Sequence, residues 1–338
     1  MSHNLKDFPT SYSWLKNIRK QNFQKHSVVL IGTGLIAQQY ATALNQMQIN
    51  DVQIISNSKE KGDKFCKDFG FKKHLSGGYE KNLQNLDESD LVIVALPIHL
   101  LNNATKKLLK NNFTNILIEK PGSLYSSELI QLSKTIKNQN VRIGYNRLLY
   151  PSFLKLKSIL SAEEISSCNF DFTEWTHKII FNKYASDVYQ RWGISNTLHL
   201  ISMAFELIGM PKKITAYQYG KLDWHKSGSI FLGSGISKSQ IPFSYHANWE
   251  SAGRWNIEIM TKKGKYRLSP LEELHFCKLG EISWKKIPLY TPFPKSKTGI
   301  TEEIASMLSD DKRVQNYLPS LKKAVSYNQI AIKIFGYK

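Results

Sequence analysis

The chain has 338 residues, 41% of them hydrophobic and 12% aromatic, more than one ordinary core uses, so two domains are expected. Lysine and arginine outnumber aspartate and glutamate by 46 to 27, a net charge of +19, but the lysines are spread along the chain without a nucleic-acid motif. An anionic small molecule is therefore the expected partner, and not nucleic acid. Cys66, Cys168 and Cys277 are odd in number and far apart, and no HExxH is present, so neither a disulfide framework nor a metal is expected.

In chain order, residues 1–26 are polar and basic with apolar points at Trp14, Leu15 and Ile18. They predict a short amphipathic helical extension with no secretory signal. No later window holds the roughly 18 apolar residues of a membrane span, so a cytoplasmic protein without membrane insertion is expected. Residues 27–31 (SVVLI) form an apolar, β-branched run, and a glycine turn and a helix over 35–48 follow. Strands over 52–55, 90–95, 116–118 and 141–143 then alternate with helices over 58–69, 100–110 and 126–137. That alternation predicts a doubly wound parallel sheet over 27–147. The pattern then changes. A helix over 151–160, strand-like residues 164–181, a helix over 194–208 and β-type stretches at 214–218, 255–259 and 282–284 predict an α+β domain over 148–338. Its sheet is expected to be mostly antiparallel. Residues 249–255 (WESAGRW) read as a hairpin with packing tryptophans.

The first chemical motif is Gly32-x-Gly34-x-x-Ala37. Gly32 permits the tight turn, Gly34 lets backbone approach a pyrophosphate, and Ala37 lets the helix pack closely on the sheet. The helix start offers free N–H groups to phosphate, which places Gly32, Thr33, Gly34, Leu35 and Ile36 against a dinucleotide. At the end of the second strand stand Ser56, Asn57, Ser58 and Lys59. They offer hydroxyls, an amide and a cation, with no carboxylate to repel a 2′-phosphate. NADP is favoured and NAD remains open. Glu119-Lys120-Pro121 closes another parallel strand, at the edge where ligands bind. A partly desolvated Lys120 there is a candidate proton carrier, with Glu119 to orient it. Alone, that tripeptide is unremarkable.

In series, the glycine motif, Glu119-Lys120-Pro121, Gly144-Tyr145-Asn146-Arg147 and Trp192-Gly-Ile-Ser-Asn-Thr-Leu-His199 resemble the Gfo/Idh/MocA oxidoreductases. Trp192-Gly-x-x-Asn196 before His199 resembles a subset of that family from surface-polysaccharide sugar pathways. The resemblance implies an NAD(P)-dependent dehydrogenase or reductase acting on a CH–OH group of a sugar, with a nucleotide-linked or acidic sugar among the candidates. Lys120 would be the acid/base residue and His199 would share that role. Asn146, Leu96 and Pro97 would line the cofactor. Arg147, Trp175, Tyr184, Arg191 and Asn196 would contact substrate together with Lys120 and His199. The second domain's open sheet would make a homodimer or homotetramer. Taken alone, His199 reads as a core histidine, Arg191 as a surface arginine, and Trp175 and Tyr184 as packing aromatics.

The chain departs from the family where Ser195 and Asn196 stand at positions that often carry a carboxylate before the histidine. Ile98 and Leu101 replace the asparagine and histidine of a Pro-Asn-x-x-His motif, with His99 out of register. These departures keep a second expectation open: a cofactor-binding sensor or regulator with the same fold and no turnover.

Overall fold

The computed structural model describes residues 11–338. The part of the N-terminal extension before residue 11 lies outside them. The extension's remainder is a helix, Ser11–Asn17, and a 3-10 turn, Ile18–Lys20, with Trp14, Leu15 and Ile18 buried. Backbone contacts divide the chain into two compact units that no single cut separates. The first comprises Lys16–Leu149 and Thr291–Ser326. The second comprises Tyr150–Tyr290, Tyr327–Lys338 and the described residues up to Leu15.

The first unit is built on six strands: β1 Ser27–Ile31, β2 Asp51–Ile55, β3 Lys73–Leu75, β4 Leu91–Val94, β5 Asn115–Glu119 and β6 Asn140–Gly144. All pair in parallel, in the order β3-β2-β1-β4-β5-β6. β4 is buried at every position, because helices cover both faces of such a sheet. The order reverses between β1 and β4, which opens a crevice at the carboxyl ends of those strands. β3 and the short helix Gly78–Asn82 gave no apolar pattern in the sequence; β3 reads Lys-His-Leu. The return segment adds a helix, Ile300–Met307, against the helix Leu35–Gln46. All eight of its residues are buried, Glu302 and Glu303 among them.

The second unit carries eight strands: β7 Ile165–Asp171, β8 Pro211–Tyr219, β9 Ile230–Ser237, β10 Pro242–Asn248, β11 Asn256–Thr261, β12 Gly264–Leu268, β13 His275–Lys278 and β14 Lys285–Lys286. Their order is β14-β13-β12-β11-β7-β10-β9-β8, antiparallel except for β7 with β10. One face packs on the helix Leu198–Ile208 through Phe170, Phe243 and Phe205. The other face leaves Tyr217, Tyr219, Leu232 and Ile236 exposed. Both fold expectations, the parallel doubly wound sheet and the mostly antiparallel sheet, are thus realised.

Three local expectations are corrected. The strand expected over 164–181 ends at Asp171, whose carboxylate accepts the Thr173 N–H at 2.7 Å and turns the chain out of the ladder. Residues 282–284 form no strand: the turn from Lys278 to Glu281 breaks the ladder and Trp284 stacks under Arg267 at 4.0 Å. Residues 249–255 are no hairpin, because β7 lies between β10 and β11. Both tryptophans are buried, Trp249 with its indole N–H on the Phe172 carbonyl at 3.2 Å.

Candidate functional site

The glycine turn is set by contact and by space. Gly32 sits at φ +119°, and a Cβ there would lie 2.3 Å from the Ala95 carbonyl oxygen. Only glycine lets β1 turn this close to the end of β4. Gly34 is different. Its backbone is extended, at φ −77° and ψ −176°, and a Cβ would meet nothing within 4 Å. It caps the helix Leu35–Gln46 without a side chain, and Ala37 is buried behind it. No side chain caps the first N–H groups of that helix, and the positive end of the helix dipole lies behind them. A side chain at residue 34 would extend into the free space beside that helix start.

At the end of β2 the four candidate residues divide. Ser56 is buried: its N–H donates to the Leu75 carbonyl at 3.1 Å and its carbonyl accepts from Gly78 at 2.8 Å. Its hydroxyl lies 2.6 Å from the Ser58 carbonyl and 2.8 Å from His74 Nε2, so it anchors the turn from within. Asn57 and Lys59 are exposed, and the Ser58 hydroxyl caps the next helix by accepting from Lys61. Leu96 is half-buried and exposed Pro97 caps the helix Ile98–Lys110, while Leu101 is a core residue and His99 is exposed.

Lys120 follows β5 and is half-buried. Its neighbour Glu119 points into the unit, where Tyr40 Oη lies 2.7 Å from Glu119 Oε1 and 3.0 Å from Glu303 Oε2. A phenol has one hydrogen, so it cannot donate to both. The shorter contact is to Glu119, whose carboxyl burial raises while the Tyr40 hydrogen bond, the Lys120 and Lys297 charges and the Lys120 N–H pull the other way. Glu303 is then the carboxyl that keeps its proton and donates to Tyr40. Burial pushes Glu303 well above its usual value, and the Glu119 charge adds to that. Burial likewise raises Glu302 to about 7, although it accepts the Gly299 N–H at 3.0 Å. A Cβ on Gly144 would lie 3.1 Å from Tyr40 Oη, so β6 closes over the trio. Asn146 is buried with its amide on the Thr298 carbonyl at 3.0 Å, and Arg147 is half-buried beside it. The sheet's carboxyl edge thus gathers the glycine turn, residues 56–59, Leu96, Lys120 and Asn146.

The second unit holds the remaining candidates. Residues Gly193–Thr197 form a π-type turn before the helix Leu198–Ile208. Gly193 is required there, since a Cβ would fall 2.2 Å from the Phe335 ring. The wide turn aims Asn196 and Thr197 together at Glu174, whose carboxylate accepts from Asn196 Nδ2 at 3.0 Å and from Thr197 Oγ1 at 2.5 Å. Glu174 is buried and was missed, because no local pattern ties a residue after β7 to a turn about twenty positions later. His199 is buried in the helix's first turn. Arg191 donates to the Lys338 carbonyl at 2.9 Å and lies over the Tyr337 ring. Trp175 is exposed, with Arg254 stacked at 4.4 Å, and Tyr184 is exposed with its N–H on Tyr189.

The strand order and the space over Gly34 define the first unit as a Rossmann dinucleotide-binding domain. Residues 26–147 match the Gfo/Idh/MocA oxidoreductase family with its NAD-binding Rossmann fold. No curated protein matches the chain by sequence. Among solved structures it is similar in fold to levoglucosan dehydrogenase in complex with NADH and levoglucosan, at TM-score 0.70 and 17% identity over 92% of this chain and 96% of that one. The dehydrogenase MviM from Clostridium difficile aligns at 0.72 and 17% over 93% and 100%. UDP-N-acetylglucosamine 3-dehydrogenase GnnA from Acidithiobacillus ferrooxidans aligns at 0.67 and 13% over 92% and 98%. No helix among the described residues is long and apolar enough to cross a membrane.

Proposed function

We propose that this chain is an NAD(P)-dependent sugar dehydrogenase or reductase acting on a CH–OH carbon, with NADP(H) preferred. The observation that carries the reading is the side-chain-free space at Gly34, over an uncapped helix start, on the same sheet edge as half-buried Lys120. The nicotinamide cofactor supplies hydride acceptance or donation when bound. The protein's own residues do the rest. Gly32–Ile36 hold the pyrophosphate, Asn57–Lys59 receive the adenosine ribose, and Asn146 lies toward the nicotinamide end. Lys120 takes the hydroxyl proton or returns it, and His199 shares that task by hydrogen-bonding the same hydroxyl. Arg147, Trp175, Tyr184, Arg191 and Asn196 are the proposed substrate contacts. Levoglucosan and a UDP-sugar, named for two of the structural neighbours, support a sugar as substrate. The net charge of +19 suits a nucleotide-linked or acidic one. The exposed Tyr217, Tyr219, Leu232 and Ile236 support a homo-oligomer formed through the open sheet.

Turnover of NADPH and NADH with a panel of keto-sugars and sugar nucleotides tests the reading. Lys120→Met should lower the rate by about 10²–10⁴-fold with cofactor affinity nearly unchanged, and His199→Ala should lower it less. A second reading, a cofactor-binding sensor without turnover, is favoured by Glu174, whose buried carboxylate is engaged with Asn196 and Thr197. Tight cofactor binding with no turnover of any sugar would establish it instead.

A further inference from the structure

The hydrogen bonds behind residues 56–58 count out a proton. The Ser56 hydroxyl has one hydrogen and two neighbours, the Ser58 carbonyl at 2.6 Å and His74 Nε2 at 2.8 Å. A carbonyl only accepts, so the hydroxyl donates to it, and Nε2 must carry a hydrogen of its own. Across the ring, His74 Nδ1 lies 2.9 Å from Asp63 Oδ1, a carboxylate that also only accepts. Both ring nitrogens therefore donate, and the network is complete only with His74 as an imidazolium. The ring is held in place: a Cβ on Gly62 would fall 1.9 Å from Nε2, so the helix Lys59–Phe69 rests directly on it.

We infer that His74 is a positioning residue that sets the choice between dinucleotides with and without a 2′-phosphate, its charged form favouring the phosphate. The inference rests on the proposed reading of Asn57–Lys59 as the ribose end of the cofactor site. The turn's shape and charge distinguish the two cofactors, and His74 contributes to both through Ser56. When the ring loses its Nε2 proton, Nε2 becomes an acceptor and takes the one Ser56 hydrogen. The Ser58 carbonyl then keeps only the Gly62 N–H, 3.1 Å away, and the turn carrying Ser58 and Lys59 loses its side-chain tie to Ser56. The local charge also falls by one beside the position of the phosphate. A ribose 2′-hydroxyl, being neutral, is affected much less. The groups around the ring are few. Asp63 faces Nδ1 from the helix Lys59–Phe69, and it also acts on the Cys66 thiol there. Lys59 shares the helix face of Asp63, four residues earlier. β2 contributes only the Ser56 hydroxyl, and Lys73, the ring's neighbour in β3, is turned to Asp51 and Asp87.

Calorimetric titration of NADPH and NADH into the full chain tests this, at about pH 6 and about pH 8.5, either side of the range in which histidines titrate. The wild-type preference for NADPH over NADH should fall about tenfold between the two. His74→Gln keeps an N–H toward Ser56 but no charge, so its preference should be low and independent of pH. Asp63→Asn, an exposed change, should move the fall to lower pH. A wild type that binds both dinucleotides with a preference unaltered in His74→Gln overturns the inference alone, as does an equal loss of both ligands in the variant. A wild type that binds neither overturns the cofactor reading and the inference with it.

Discussion

Replacing Glu303 with glutamine should make the protein's stability less dependent on pH, and the size of the effect follows from the Tyr40 hydrogen bonds. In the fold Glu303 holds a proton and donates it to Tyr40, 3.0 Å away. In the unfolded chain it titrates near the ordinary value of 4.5. Above that value folding takes up a proton, so the group's contribution is greatest below 4.5 and declines as pH rises toward its elevated folded value. Between those two values the decline is about 1.4 kcal/mol per pH unit. Glutamine supplies the same kind of donor from its amide with no proton to take up. Urea unfolding of wild type and Glu303→Gln across pH 5 to 8 reads the term together with the change it makes at its neighbour Glu119. The two curves should cross or converge, with the variant gaining on the wild type by up to about 1.4 kcal/mol per unit. Parallel curves would refute the assignment of the proton to Glu303. A Tyr40→Phe protein with an unchanged pH profile would do the same for the bridge.

The two glycines of the turn should behave oppositely. Gly34→Val should fold normally, since a Cβ meets nothing within 4 Å, yet lose dinucleotide affinity by more than about a hundredfold by titration. Gly32→Ala should instead destabilise the fold by about 1–3 kcal/mol in thermal unfolding, because its Cβ meets the Ala95 carbonyl and its φ is +119°. Glu174→Ala leaves the Asn196 amide and Thr197 hydroxyl without their acceptor; a loss of about 2–3 kcal/mol and faster hydrogen exchange over residues 193–197 are expected. An unchanged exchange rate there would show that the wide turn does not depend on this carboxylate.

The nucleotide-binding half was legible where one local pattern decided the structure. The run at 27–31 is buried from Val28 to Ile31, and the helix expected over 58–69 stops at Gly70, whose φ of +77° makes it the C-cap. Residues 282–284 and 249–255 misled because aromatic, β-branched composition marks burial as much as pairing. Trp284 stacks under a single arginine, and Trp249 packs in an aromatic cluster with Phe231 and Phe335. Glu303 was invisible for another reason. It meets Tyr40 across 263 positions, and two adjacent glutamates read as a solvated helix face when the whole helix is buried. Glu302 in the third helical position after Gly299 was the one available sign of that helix's start. His74 was overlooked because it lies on a three-residue strand without an apolar pattern.

The return of Thr291–Ser326 to the first unit also bears on how the protein is made. When β6 leaves the ribosome, Tyr40 and Glu119 are both present, but Glu303, which completes their hydrogen bonds, has yet to be translated. At about 5–20 residues per second, the nascent domain waits roughly eight to thirty seconds for it. A fragment cut after Leu149 would stay in that waiting state, with no helix Ile300–Met307 to cover Tyr40 and Glu119. The fragment should aggregate or bind chaperones, whereas co-expression of a second fragment carrying Thr291–Ser326 should rescue it.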